Sequence, residues 1–204
     1  MPATATTKDR ILGAAEQLFA QRGFDGASLR RVTAAAGVNL AAVNYHFGSK
    51  EKLVEQVLRR RLDVLNARRL AALVEVEGRP GTTLEHVLAA YIHPALELSH
   101  DAGGDLFMRM LARAFAEHDE RLREFLSESY GHVMKRFAAE FARLLPHLSK
   151  LELYGRMDLV TGALTLAMSG FGMIQRPGDV SEQAHREQTT RHLIGFAVAG
   201  LGHA

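Results

Sequence analysis

The stretch from Asn39 to Lys50 contains side chains that suit recognition of another molecule. Its only obvious core residues are Val43 and Phe47, so the other side chains of a short helix there would face outward. The outward side chains are apolar, amide and aromatic, and they belong to Leu40, Ala41, Asn44 and Tyr45. So short a helix is not stable alone and must be held by its neighbours. These properties indicate the reading helix of a helix-turn-helix, which lies in the DNA major groove.

Two Glu-x-x-His pairs have the spacing with which some helical bundles bind two iron ions. They are Glu97 with His100 and Glu182 with His185. The first pair falls opposite the apolar residues of its own helix and so points to solvent. Glu182 lies in the first turn of a helix, where the helix dipole stabilises a negative side chain. The sequence has no phosphate-binding glycine loop, nucleophile elbow or zinc spacing. We therefore expect no metal, no cofactor and no enzymatic activity.

Capping residues divide residues 28–53 into the elements that position these side chains. Ser28, Asn39 and Ser49 are good N-caps, and Gly37 stands where a residue with positive φ would end a helix. The third helix would begin with Lys50, which places a cation where backbone N–H groups can also meet a phosphate. An amphipathic helix from about residue 7 would clamp the two shorter ones.

The same residues resemble the DNA-binding signature of the TetR family of bacterial transcriptional regulators. The resemblance runs from about Lys8 to Leu53 and is carried by Gly37-Val38, Val43, Tyr45-His46-Phe47, Lys50 and Leu53. It implies base-edge contacts from Arg30, Leu40, Ala41 and Asn44, and phosphate contacts from Ser28, Tyr45, His46 and Lys50. The implied partner is a double-stranded DNA operator.

The positive charge of the chain is concentrated near this motif. Residues 1–62 carry ten Lys and Arg against five Asp and Glu, whereas residues 63–204 carry fifteen against eighteen. An electrostatic footprint for DNA produces such asymmetry, although a solvated basic face gives the same signal.

The sequence has no cysteine and no apolar run near the ~18 residues that a membrane span requires. We expect a cytoplasmic protein with no membrane partner.

The rest of the chain shows helical periodicity and no strand-like alternation, which predicts an all-α fold. We expect a three-helix DNA-binding domain with the helix-turn-helix over 1–53 and a helical bundle for dimerisation and ligand binding over 54–204. A helix from Ser49 to about Val76 would join them. A helix over 84–99 contains Pro94, where a kink or a break is expected.

The last two predicted helices, about 150–174 and 182–202, are rich in small residues that permit close helix packing. In proteins of the TetR family such helices pair with their copies in a second subunit, which implies a homodimer. The candidate interface residues are Gly162, Ala163, Ala167, Gly170, Gly195 and Ala199. Close packing inside one subunit is the alternative.

Methionine and aromatic side chains are numerous between residues 84 and 145. Core packing explains most of them, but soft or flat side chains also suit a pocket for an apolar ligand. The candidate ligand-binding residues are Tyr91, Phe107, Met110, Leu111, Met134, Phe137 and Phe141.

Three further segments resemble the branch of the family that controls fatty-acid degradation: residues 104–109, residues 168–170 and residues 38–50. This implies a repressor that binds a palindromic operator as a dimer and whose effector is a fatty acid or acyl-CoA. An effector-independent DNA-binding regulator is the alternative, and a helical metalloenzyme is a third class.

Overall fold

The computed structural model of the chain describes residues 6–101, 103–116, 120–169 and 181–203. All regular secondary structure in these ranges is α-helical, which confirms the predicted fold class. The helices are α1 Thr7–Gly26, α2 Leu29–Ala36, α3 Leu40–Phe47, α4 Lys50–Val76, α5 Leu84–His100, α6 Gly104–Ala116, α7 Glu120–Leu144, α8 Lys150–Ser169 and α9 Glu182–Gly202. None of the described helices is long and apolar enough to cross a membrane.

The first three helices pack against one another, and their buried side chains belong to the same core as those of the later helices. A capping box between Thr6 and Asp9 begins α1, which buries Ile11 and Phe19 and packs against α2 and α3. The helical backbone of α1 is interrupted at Gly23, whose φ of 74° suits glycine. The result is a rigid support on which the two short helices can lie.

Helix α4 packs against both the N-terminal helices and the C-terminal ones. Ser49 caps it, and it continues for 27 residues through the position where we expected one domain to end and the next to begin. An ion pair of 3.3 Å between Arg61 Nε and Glu16 Oε1 ties α4 to α1. This ion pair, together with the packing of α4 on α1 and α3, links α4 directly to the N-terminal helices.

Helices α5 to α9 form the larger bundle, in which α5 packs against α4, α6, α7, α8 and α9. Of the kink or break expected at Pro94, the break does not occur, because α5 is continuous from Leu84 to His100. The predicted bounds of α4 and α9 are confirmed, while the predicted end of α8 near residue 174 lies outside the described residues. Arg156 of α8 donates to the carbonyl of Leu201 at 2.8 Å, which fixes α8 against the end of α9.

Candidate functional site

The turn between α2 and α3 is fixed by local capping. Gly37 adopts the left-handed conformation with φ of 63°, and the N–H of Val38 donates to the carbonyl of Thr33 at 3.0 Å. Asn39 then caps α3, its Oδ1 accepting from the N–H of Ala42 at 2.9 Å. These bonds set the direction of α3 relative to α2.

A second restraint on this turn comes from α1. The Arg10 guanidinium donates to the carbonyl of Ala36 from Nε at 3.1 Å and from Nη2 at 2.6 Å, and Nη2 also donates to the carbonyl of Gly37 at 2.8 Å. These carbonyls lie at the C-terminal end of α2, where a cation is also favoured by the helix dipole. Sequence reasoning missed this role because no local pattern links residues 26 positions apart.

Helix α3 faces its support with Val43 and Phe47, and Ala42 is partly buried beside them. Val43 is 1% exposed and Phe47 is 5% exposed, so they anchor the helix in the core. Leu40 is 44% exposed and Tyr45 is 85% exposed, and the Tyr45 ring lies edge-on to the His46 ring with 5.1 Å between their centroids. Ala41, Asn44 and His46 are exposed as well. The predicted outward face of α3 is thus present.

The remaining candidate DNA-binding residues flank this face. Ser28 and Arg30 are exposed at the start of α2, and the Ser28 hydroxyl oxygen accepts from the N–H of Arg31 at 3.4 Å. Lys50, in contrast, is half-buried, and its Nζ donates to the carbonyl of Asp25 at 3.4 Å. A phosphate at the start of α4 would have to draw Lys50 away from this long hydrogen bond.

The candidate ligand-binding residues belong to the core of the larger bundle. The rings of Tyr91 and Phe137 lie 5.2 Å apart between centroids, and those of Phe137 and Phe141 lie 6.3 Å apart. Tyr91, Met134 and Phe141 line a cavity of about 10 Å³, together with Leu88, Met157, Val160, Thr161 and Leu201. This volume holds about one water molecule, so a larger ligand must open the cavity.

The other candidate ligand residues lie on α6. Phe107 and Met110 are fully buried and Leu111 is buried, but none of the three lines the small cavity. Helix α6 packs against α1, α5 and α8. The structure therefore brings part of the predicted set together around the cavity and leaves the α6 residues in the core that joins the bundle to α1.

A buried cation, which the sequence interpretation missed, adjoins the same cavity. Arg69 of α4 is 8% exposed and lies over the Tyr91 ring, with 3.9 Å from the guanidinium carbon to the ring centroid. Its Nε donates to the Tyr91 carbonyl at 2.9 Å, and burial lowers the pKa of its guanidinium. The signal was available, because Arg69 stands at helical spacing between Leu65 and Leu73 in a buried apolar stripe.

The Glu97 and His100 side chains are exposed, as expected, and face a groove of about 610 Å³ between α5 and α9. The groove has mixed charge, since Arg186 and Glu187 of α9 line its other wall. Burial, followed by the nearby Arg186, lowers the pKa of His100. Among the described residues no three His, Asp or Glu side chains are arranged to hold a metal ion.

The candidate dimer residues lie on exposed faces of α8 and α9. Gly162, Gly195 and Ala199 are exposed, Ala163 and Ala167 are half-buried, and Gly170 lies outside the described residues. Sequence reasoning missed larger apolar side chains on the same faces, namely Leu151, Leu159, Leu166 and Phe196, which are 86%, 73%, 57% and 64% exposed. On α8 the positions of Leu151, Leu159 and Leu166 are seven or eight residues apart, which is about two helical turns and was the available signal for one shared face.

Comparison with known proteins finds two family models that match this chain. Residues 11–57 match the sequence model described as bacterial regulatory proteins, tetR family, and residues 89–200 match the one described as tetracyclin repressor-like, C-terminal domain. Two curated relatives are the probable HTH-type transcriptional regulator YttP of Bacillus subtilis, 42% identical over 53 residues, and the HTH-type transcriptional repressor KstR2 of Mycolicibacterium smegmatis, 39% identical over 64 residues. These matches cover 26% and 31% of this chain and the same shares of the relatives, so the chain spans about a third or less of their length.

Solved structures resemble the whole chain at low sequence identity and therefore inform on the fold alone. The TetR family transcriptional regulator PfmR of Thermus thermophilus is 20% identical with a TM-score of 0.65, and the match covers 97% of both chains. GusR of Salmonella enterica is 19% identical with a TM-score of 0.61, over 96% of this chain and 95% of that one. Because the C-terminal model alone matches more than half of the residues, the chain belongs to the TetR family of bacterial regulatory proteins.

Proposed function

We propose that this protein is a dimeric transcriptional repressor that binds a palindromic operator and releases it when a small apolar effector binds. The observation that carries the proposal is the outward face of α3, which exposes Leu40, Asn44 and Tyr45 on a helix anchored by Val43 and Phe47. A short helix held this rigidly, with an amide and aromatic side chains directed away from its own core, suits the major groove.

The chemistry of the exposed side chains divides the DNA contacts into two kinds. Arg30 and Asn44 supply the hydrogen bonds that read base edges, because arginine pairs with guanine and asparagine with adenine in bidentate geometry. Leu40 and Ala41 add apolar contacts, for example to thymine methyl groups. Phosphate contacts come from Ser28, Tyr45, His46 and Lys50, which orient the domain without reading sequence.

The faces of α8 and α9 that expose Leu159, Leu166 and Phe196 support the dimer. A Cβ added at Gly162 or Gly195 meets no atom within 4 Å, so both glycines leave open space for another helix to approach. Large exposed apolar side chains on two helices that pack side by side suit an interaction site. A two-fold dimer presents two copies of α3 to two half-sites, which is why we propose a palindrome.

The proposed effector is a fatty acid or acyl-CoA that enters the bundle near Tyr91, Phe137 and Phe141. The site of about 10 Å³ is far smaller than the ~300 Å³ at which ligand pockets begin, so binding must select an expanded arrangement of the bundle. Because α4 packs on this region and carries the Arg61 to Glu16 ion pair, expansion would shift the DNA-binding helices.

We further propose that residues 1–53 bind DNA and residues 54–204 bind the effector and the second subunit, and that the protein acts in the cytoplasm. An effector-independent regulator is the second candidate, and the small volume of the cavity favours it, because the cavity is not a preformed site for a ligand of fatty-acid size. The two candidates share the same DNA contacts and differ in whether any ligand releases the operator.

Selection of bound duplexes from a random pool tests the DNA-binding proposal. The full-length protein should enrich a consensus with two related half-sites in inverted orientation, about one or more helical turns apart. Enrichment of a single unpaired site would contradict the dimer, and a pool without a consensus would contradict sequence-specific regulation.

Release of the selected duplex tests the effector. Oleate, oleoyl-CoA and an unrelated planar aromatic compound are each titrated into the DNA complex while fluorescence anisotropy is recorded. Typical coupling free energies between two binding sites predict that the acyl compounds lower DNA affinity by 5- to 150-fold. Because such coupling is reciprocal, DNA should lower the affinity for the acyl compound by the same factor. Release by the aromatic alone would reject the acyl effector, and release by none would favour the effector-independent candidate.

A further inference from the structure

We propose that Arg156 is a positioning residue for the dimer. It caps the C-terminal end of α9 from the neighbouring helix α8 and so holds the two helices in the arrangement that the second subunit binds. This role rests on the proposed function, in which the exposed faces of α8 and α9 form the subunit interface. The observation that carries it is a helix end that its own residues do not complete.

The C-terminal end of α9 lacks the local features that usually complete a helix. A glycine in the left-handed conformation commonly follows the last turn, but here Gly202 is still helical and His203 is extended, with φ of −64° and ψ of 129°. The last turn contains no basic residue that could stabilise the negative end of the helix dipole. The N–H of His203 donates to the carbonyl of Ala199 at 3.1 Å, and the carbonyls that follow need partners from outside the helix.

Arg156 supplies these partners. Its Nη1 donates to the carbonyl of Gly200 at 3.3 Å and to that of Leu201 at 2.8 Å, and it also donates to the carbonyl of His203. The two hydrogens of one nitrogen are thus shared among three carbonyls. The side chain is 18% exposed, and its Nη2 pairs with Glu152 Oε1 at 2.6 Å, which holds the guanidinium in place. A cation at this position is also favoured by the dipole of α9.

The turn that Arg156 caps is part of the face proposed for the second subunit. Ala199 and Gly200 are exposed in this turn, and Phe196, which is 64% exposed, lies about one turn before it. On α8, Leu159 follows Arg156 by three residues and is 73% exposed. Arg156 therefore joins the two helices within about one turn of the exposed apolar side chains of each.

The cap favours dimerisation because it orders this part of the interface before the subunits meet. Apolar packing between α8 and α9 is not directional, so it does not by itself fix the last turn of α9. Without Arg156 the carbonyls of Gly200 and Leu201 lose their donors, and the end of the helix is free to fray. Association would then have to order this turn in both subunits, which costs backbone entropy and weakens the dimer.

Sedimentation equilibrium of the full-length protein at several concentrations measures the dissociation constant of the dimer. Arg156→Met keeps the apolar stem and removes the cap, and it should raise this constant by at least about 10-fold, because ordering even one residue in each subunit has an effect of that size. Arg156→Lys should raise it less, since lysine keeps the charge but not the planar set of donors. Arg143→Met is the matched control, because Arg143 of α7 pairs with Glu140 of the same helix and should leave the constant unchanged.

Amide hydrogen exchange distinguishes ordering of this turn from a general loss of stability. In dilute, monomeric Arg156→Met the amides of residues 199–203 should exchange faster than in dilute wild-type protein, while those of α5 should not change. Protection of the turn should return at concentrations at which the variant dimerises. Faster exchange in all helices, with an unchanged dissociation constant, would overturn the proposal. If Arg156→Met does not fold, Arg156→Lys is measured in the same two ways, and agreement with Arg143→Met in both would overturn it.

Failure of this role and failure of the proposed function give different results. A dimeric wild-type protein, together with an Arg156→Met dimer as tight as that of Arg143→Met, would contradict the role of Arg156 alone. A wild-type protein that stays monomeric at every concentration would contradict the proposed dimeric repressor itself. Operator binding by Arg156→Met should recover at concentrations that restore its dimer, because the reading helices are unchanged, and a restored dimer that does not bind would also overturn the role of Arg156.

Discussion

Replacement of Arg10 by methionine should loosen the turn that holds the reading helix. The side chain keeps its apolar stem and loses three hydrogen bonds, two to the Ala36 carbonyl and one to the Gly37 carbonyl. A hydrogen bond to a charged group contributes about 1.5–3 kcal/mol. Because the contact is only partly buried, we count the guanidinium as one such interaction and expect a destabilisation of about 1.5–3 kcal/mol.

A double-mutant cycle with Gly37→Ala tests whether this clamp and the glycine act together. Alanine at φ of 63° costs about 1–2 kcal/mol. Its Cβ would also lie 2.9 Å from Arg10 Nη2 and so displace the guanidinium. In the Arg10→Met background only the backbone cost remains, so we expect the double variant to be more stable than the sum of the single effects predicts, by about 1 kcal/mol or more. The reduced entropy of the unfolded chain is the same in both backgrounds and cancels.

Urea unfolding at one fixed protein concentration, followed by circular dichroism, gives the four free energies of unfolding that the cycle needs. Arg22→Met is the control, since Arg22 is an exposed arginine of the same helix and its replacement should change stability by less than about 0.5 kcal/mol. Single effects that add within about 0.3–0.5 kcal/mol would refute the coupling. An Arg10→Met protein as stable as the control variant would refute the clamp itself.

Three further predictions concern the operator, the dimer and pH. Lys50→Ala should weaken binding to all duplexes alike and should reduce the slope of log Kobs against log salt concentration by about one per subunit. Fluorescence anisotropy at several salt concentrations measures this slope. A changed base preference with an intact slope would contradict the phosphate role of Lys50. Gly162→Leu should convert the dimer into folded monomers that no longer bind the operator, because overpacking costs about 1–3 kcal/mol per site. Analytical ultracentrifugation measures the loss of dimer. A variant that stays dimeric and still binds the operator would show that the interface does not include Gly162. The pKa of His100 is lowered by burial and by Arg186 from 6.5, so the unfolded chain binds more protons and stability should fall as pH decreases through 6.5. His100→Gln should reduce this fall in urea unfolding at several pH values, and an unchanged pH dependence would contradict the assignment.

The fold was predictable because its signals are local in the sequence. Caps such as Ser28, Asn39 and Ser49 act within three residues, and the structure has each of them accepting the N–H bond that begins its helix. The outward face of α3 followed in the same way from the two core anchors. These features need only helical periodicity and the chemistry of single residues.

The contacts that join distant parts of the chain could not be predicted from one sequence. Arg10 contacts the end of α2 and Arg69 the backbone of Tyr91 because tertiary packing brings them together. Periodicity indicated that the candidate ligand residues are apolar and helical, but not which of them surround one cavity or that the cavity is nearly closed. Similarly, small residues suggested the dimer helices, and apolar spacing could indicate a second stripe on α8, but the sequence alone does not show that the monomer leaves Leu159 and Phe196 uncovered.

The most direct test of the reading role of α3 is the operator consensus of Asn44→Ala compared with that of the wild type. Asn44 is exposed on the outward face and does not support the core, so the variant should fold and dimerise normally. Loss of one bidentate amide should cost about 1–3 kcal/mol of discrimination at a single position of each half-site. Selection from random duplexes should then show that position relaxed and all others retained. An unchanged consensus, with wild-type affinity, would contradict the claim that this face of α3 reads the DNA.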